Sequence, residues 1–194
     1  MKRLISISLI AVLSVVLIYW VVFSDFEIGK YDNFQEAIEK GIPYKVNDII
    51  HTEQYDHVTI VMYTTDPNKE DFPFANYEAL ALAFFKGSDE EGWSNIGHHG
   101  WTHYENDNMT VYMEPLREYD NKGNELHEFY VVFGKVNNPE IVEVETKTKE
   151  EESFEEAEII KHQGKSKRYY FKIGSESIVR GLSESGDVID RQGG

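Results

Sequence analysis

Val58-Thr59-Ile60-Val61-Met62-Tyr63 and Ala79-Leu80-Ala81-Leu82-Ala83-Phe84-Phe85 decide how this chain folds. In the first run Val58, Ile60 and Met62 alternate with Thr59, Val61 and Tyr63, the period of two that defines a strand. The second is apolar on both faces, as in a strand buried from both sides. The segment between them, Thr65 to Tyr77, holds Asp66-Pro67-Asn68 and Pro73, turn residues that bar a regular strand.

Towards the amino terminus the period changes. Asn33 or Asp32 caps a helix through Gln35 or Glu36; Phe34, Ala37 and Ile38 form its apolar face, and Gly41 and Pro43 end it. Towards the carboxyl terminus, Gly87 to Asn108 reads as a loop or bulged strand rich in Gly, His, Trp and Asn. Met109 to Met113 alternates, and Asp120-Asn121-Lys122-Gly123-Asn124 is a hairpin signal leading into Phe129 to Val136. Asn137-Asn138-Pro139 makes a turn, after which Val142, Val144 and Thr146 oppose Glu143, Glu145 and Lys147 on a half-exposed strand. Ala157 with Ile159, then Tyr169, Phe171 and Ile173, then Ile178 and Val188 continue the pattern. The fold class is therefore α+β, mostly antiparallel β, ending in a small β-sandwich or meander.

Ahead of all this, Lys2 and Arg3 precede an uncharged apolar stretch, Leu4 to Phe23. As a helix it would rise about 30 Å, the thickness of the hydrocarbon core of a bilayer. Tyr19 and Trp20 fall near its far end, and Asp25 and Glu27 follow outside it, so the basic end lies inside and the acidic end outside. The run ends in Val21-Val22-Phe23-Ser24-Asp25 without a small-residue cleavage pattern, which favours an uncleaved anchor over a removed signal sequence. The expected organisation is a transmembrane signal anchor (1–24), a short linker (25–32), an α+β subdomain (33–123) and a β-sandwich-like subdomain (124–194).

The chain has 194 residues, 41% hydrophobic and 28% charged, which excludes a disordered polymer. Without Lys2 and Arg3 the remainder carries 17 basic against 35 acidic side chains, a net charge of −18. Such a body repels a phosphate backbone, so nucleic acid is excluded as a partner. The sequence contains no cysteine, which removes disulfides, thiol nucleophiles and thiolate metal sites and suits a bacterial cell envelope better than a small eukaryotic secreted domain.

With these residues placed, the chain resembles a group of uncharacterised small β-rich proteins, membrane-anchored or secreted, of low-GC Gram-positive bacteria. The resemblance rests on the early amphipathic helix, Ile49-Ile50-His51-Thr52-Glu53 before an apolar strand, and the pair Gly92-Trp93. It continues through Phe133-Gly134-Lys135-Val136-Asn137-Asn138-Pro139-Glu140-Ile141, Ala157-Glu158-Ile159, Tyr169-Tyr170-Phe171, and Gly181 before Ser185-Gly186-Asp187-Val188-Ile189. It implies a two-part, mostly β exterior module and brings no catalytic residues.

Chemistry concentrates between residues 92 and 107. His98, His99 and His103, with Glu105 and Asp107, are zinc- or copper-type ligands, and on an extended strand His99 and His103 point to one side. Their spacing matches no metalloprotease signature, and Gly97, Gly100 and two tryptophans suit an aromatic turn equally well. Trp93, Trp101 and Tyr104 offer a stacking platform for a sugar or peptide ligand, core burial being the alternative for the tryptophans. The acidic run Glu150-Glu151-Glu152 with Glu155, Glu156 and Glu158 lacks the spacing of a calcium loop and reads as a solvated edge. Gly164-Lys165-Ser166 has Ile159 where a phosphate loop needs glycine. The sequence therefore reads as a single-pass cell-membrane protein, tethered through residues 4–23. Outside it carries a non-enzymatic, cofactor-free binding or accessory module for an unknown protein or cell-wall ligand. The alternative is a zinc-binding protein or enzyme using the His98–His103 loop.

Overall fold

Two antiparallel sheets and one short helix make up the computed structural model, which describes residues 30–193 except 71, 76, 99 and 163–165. Tyr31–Gly194 is one compact unit. The expected membrane span at 4–23 lies outside the described residues; among those residues no helix is long and apolar enough to cross a membrane.

Helix α1 (Phe34–Gly41) starts where the sequence places it: the Asn33 side chain accepts from the Glu36 amide at 2.9 Å, and the Glu36 carboxylate accepts from the Asp32 amide at 3.1 Å. This reciprocal box satisfies two of the donors that a helix start leaves unpaired.

The first sheet runs β1 (Val46–Tyr55), β2 (Val58–Thr65), β3 (Ala79–Ser88), β4 (Gly92–Asn95) in chain order. One of its faces carries Val61, Tyr63, Ala81, Ala83 and Phe85 and packs on Ala37 and Ile38 of α1; the other carries Ile60, Met62, Leu80, Leu82 and Phe84. This second face meets Tyr112, Leu116, Phe129, Val131, Phe133, Tyr169 and Phe171 of the other sheet. The two runs that opened the sequence are apolar on both faces because they form the middle layer of three.

The second sheet has the order β11-β10-β7-β8-β9-β6-β5, built from β5 (Tyr112–Tyr119), β6 (Glu125–Val136), β7 (Glu143–Lys147), β8 (Glu155–Lys161), β9 (Arg168–Ile173), β10 (Ile178–Leu182) and β11 (Val188–Gln192). The spatial order β10-β7-β8-β9 is a Greek key. This corrects the expected terminal sandwich or meander: the second half forms one sheet, and the sandwich is made with the first half. The boundary expected at 123/124 falls in the turn of the β5–β6 hairpin, whose two strands are neighbours in this sheet. The back of the sheet encloses a further cluster of Met109, Val132, Val136, Ile141, Val144, Tyr170 and Val179. Gln192 ties β11 back to the segment before β5, donating to the Met109 carbonyl at 2.7 Å and accepting from the Tyr104 hydroxyl at 2.8 Å.

Candidate functional site

Between the facing sheets, at the end where β2 stops and β3 begins, the apolar seam gives way to polar side chains and opens into a cleft of about 510 Å³. That volume lies within the range of small-molecule sites, roughly 300–1,000 Å³. Thr64 of β2 and Leu80 of β3 form its floor on one side, and Lys135 of β6 and Tyr169 of β9 face it from the other. Those positions follow from register: Lys135 lies opposite Tyr169 and two residues beyond Phe133, so it shares the core-facing side of β6 but emerges past the end of the core. The wall is the segment 103–107, held in place where Thr102 exchanges backbone hydrogen bonds with Leu80 at 3.0 and 3.3 Å.

Three features give the cleft its chemistry. His103 lies flat on Tyr77, ring centroids 3.7 Å apart and planes 7° from parallel. Burial pulls its pKa below the ordinary 6.5, against the nearby Glu105 carboxylate and with the help of Lys135, so the imidazole is neutral at neutral pH. The Lys135 ammonium has no carboxylate partner among the described residues, whereas Lys167 is paired with Glu78 at the cleft's edge. Thr64 also lines the cleft, and its hydroxyl is buried without a hydrogen-bond partner, an arrangement that costs about 1–3 kcal/mol. Tyr169 stays a neutral phenol because burial raises its pKa. Glu105 and Asp107 stand at the exposed rim.

Of the residues the sequence singles out, His103, Tyr104, Glu105 and Asp107 reach this cleft. Tyr104 donates its hydroxyl to Gln192, accepts from the Val111 amide at 2.5 Å, and stacks edge-on against Tyr112 at 5.3 Å. Trp101 stands behind the wall, edge-on to Tyr77 at 6.3 Å and to Phe72 at 5.3 Å. Trp93 sits towards the opposite end of β3, beside Gly87, with its ring 4.8 Å from Phe34 and its indole N–H donated to Asp89 at 2.7 Å. Seven residues of β3 separate Gly87 from Leu80, a distance of about 23 Å, so Trp93 and Trp101 form no common platform. His98 pairs with Glu114 of β5 while His103 stacks on Tyr77, so these two imidazoles have separate partners. His99 lies outside the described residues.

Sequence reasoning missed Thr64, Tyr77 and Lys135. It also missed a group of possible metal ligands at the side of the sandwich, His51 and Glu53 of β1 with Glu158 of β8, whose ligand atoms lie within 4.8 Å of one another. The only sequence signal for either set is the i, i+2 spacing of His51 and Glu53, which places both on one face of a strand. Comparison with family models, with curated proteins and with solved structures finds no match to this chain.

Proposed function

We propose that the chain is a single-pass membrane protein, anchored through residues 4–23 with its amino terminus inside, that presents an acidic, non-enzymatic binding module on the outer side of the cell membrane. Its ligand, in this reading, is a short peptide with free termini, taken up end-on by the inter-sheet cleft. The observation that carries it is the Lys135 ammonium, which lines the cleft without a carboxylate partner among the described residues, a place for a ligand's carboxylate. The module as a whole is strongly acidic and repels simple anions. A ligand of both signs escapes that repulsion, its amine meeting Glu105 and Asp107 at the rim while the Tyr77–His103 stack covers a side chain between.

The test is a calorimetric titration of the full-length chain in detergent with the tripeptide Ala-Tyr-Ala, free and with both ends blocked. Free peptide should bind, blocked peptide should not, and Lys135→Met should weaken binding by about tenfold or more, the worth of a charged hydrogen bond. Equal binding of blocked and free peptide, or none of either, rejects the peptide reading. For the anchor, protease added to intact protoplasts should remove everything from about residue 25 onward. Full protection would overturn the orientation.

A further inference from the structure

We infer that His51, Glu53 and Glu158 form a zinc site that staples the four-stranded sheet to the seven-stranded one. This does not rest on the cleft: the site lies on the β1–β8 side of the sandwich and shares no residue with it.

The three side chains converge because both strands turn the right face inwards. His51 and Glu53 lie opposite Met62 and Ile60, whose side chains belong to the core between the sheets. Glu158 lies opposite Phe171, which belongs to the same core. The imidazole is held against the Phe171 ring, centroids 4.8 Å apart, so its rotamer is fixed before any ion arrives. Only 15% of the His51 side chain is exposed, and its Nε2 is buried without a hydrogen bond to anything.

That last point separates a metal from a proton. A protonated imidazole would be stabilised by aiming Nε2–H at a carboxylate, yet Nε2 lies 3.3 Å from Glu53 Oε2 without the direction of a hydrogen bond. A spacing of that size is what a shared zinc ion requires. Bonds of about 2.0–2.1 Å arranged tetrahedrally put neighbouring ligand atoms about 3.3–3.4 Å apart. Glu158 is exposed and swings on a rotatable stem, so it closes the set from the partner sheet and leaves the fourth position to water. One imidazole nitrogen with two carboxylates is a borderline donor set, which suits zinc; calcium and magnesium prefer oxygen alone.

The experiment uses the full-length chain without a polyhistidine tag, in detergent, stripped with chelator and titrated with zinc chloride by calorimetry. One equivalent should bind with a dissociation constant in the micromolar range or below. Glu158→Gln, an exposed and nearly isosteric change, should keep the metal-free melting temperature and weaken zinc at least tenfold. His51→Ala should weaken it about 100-fold or more, beyond the 10- to 100-fold typical of losing an outer-shell partner. His98→Ala should change nothing. Zinc should raise the melting temperature of the parent and not of Glu158→Gln. Failure of the parent to bind, or equal uptake by parent and Glu158→Gln, overturns the site, as does zinc lost in His98→Ala, which would return the ion to the loop.

Discussion

The two ends of the seam between the sheets are built from the same kinds of residue and arrive at opposite results. At one end Asp56, in the β1–β2 turn, meets His127 Nδ1 at 2.7 Å; Glu118 lies 3.5 Å from the other ring nitrogen and 3.3 Å from Lys86. Each of these side chains has a partner of opposite sign. At the other end Lys135 has no carboxylate partner among the described residues, the Thr64 hydroxyl is unsatisfied, and the seam opens into the cleft. Paired charges lock an interface, while unpaired ones are retained where something else is to complete them. It is this difference in charge pairing that supports the proposed reading of the Lys135 end as the site.

The largest expected effect comes from emptying the seam between the two ends. Phe171 is 4% exposed and packs on both sheets, so Phe171→Ala should cost about 3–5 kcal/mol in denaturant unfolding and weaken both ends together. A loss under about 1 kcal/mol would mean that the ends do not share one core. Gly134→Ala strikes the cleft end alone: a Cβ there would lie 1.9 Å from the Thr110 carbonyl oxygen and 2.7 Å from the Tyr170 ring. Pushing that segment outwards should cost about 1–3 kcal/mol and distort the cleft wall, seen as lost peptide binding.

At the paired end, His127→Ala should cost about 1–2 kcal/mol, discounted because Asp56 is half exposed, and leave peptide binding untouched. Lys135→Met should do the reverse, shifting stability by no more than about 0.5 kcal/mol while weakening peptide binding about tenfold or more. If both variants lost only stability, the contrast between the ends would fail. The smallest effect is a pH dependence. His103 takes up its proton below 6.5 in the folded chain and near 6.5 in the unfolded one, so protonation favours unfolding. Its share of stability is intact above about pH 6.5 and is lost as pH falls from there through the folded value. The His103 ring resonance in an NMR titration should therefore turn over below 6.5, and a midpoint above it would contradict the burial.

The individual strands and the helix were legible in the sequence because their signals are local, but the stacking of three layers was not. The alternation of Val58–Tyr63 and the two apolar faces of Ala79–Phe85 mark strands, and Asn33 with Glu36 marks the helix start. Asp120 to Asn124 announces its hairpin through a side chain that accepts from the Lys122 and Asn124 amides. The Greek-key order was not legible, since nothing near β10 says that it lies beside β7 and away from β9. The same limit divides the site. His103 and Tyr104 stand out in an aromatic, polar loop, but Thr64, Tyr77 and Lys135 come from other elements and look like ordinary strand or turn residues. His51 and Glu158 are brought together only when two sheets stack, and no pattern in one strand reports its neighbour across a core.

The pairing order also sets a timetable. The helix and first sheet lie within residues 34–95 and can form as soon as they are made, but their inner face, with Ile60, Met62, Leu82 and Phe84, has no cover until later strands arrive. β6 and its neighbour β9 are separated in the chain by β7 and β8, so the covering sheet assembles last and slowly. Until then the nascent chain exposes a broad greasy surface. Exposed apolar surface of that kind makes this the interval of greatest aggregation hazard.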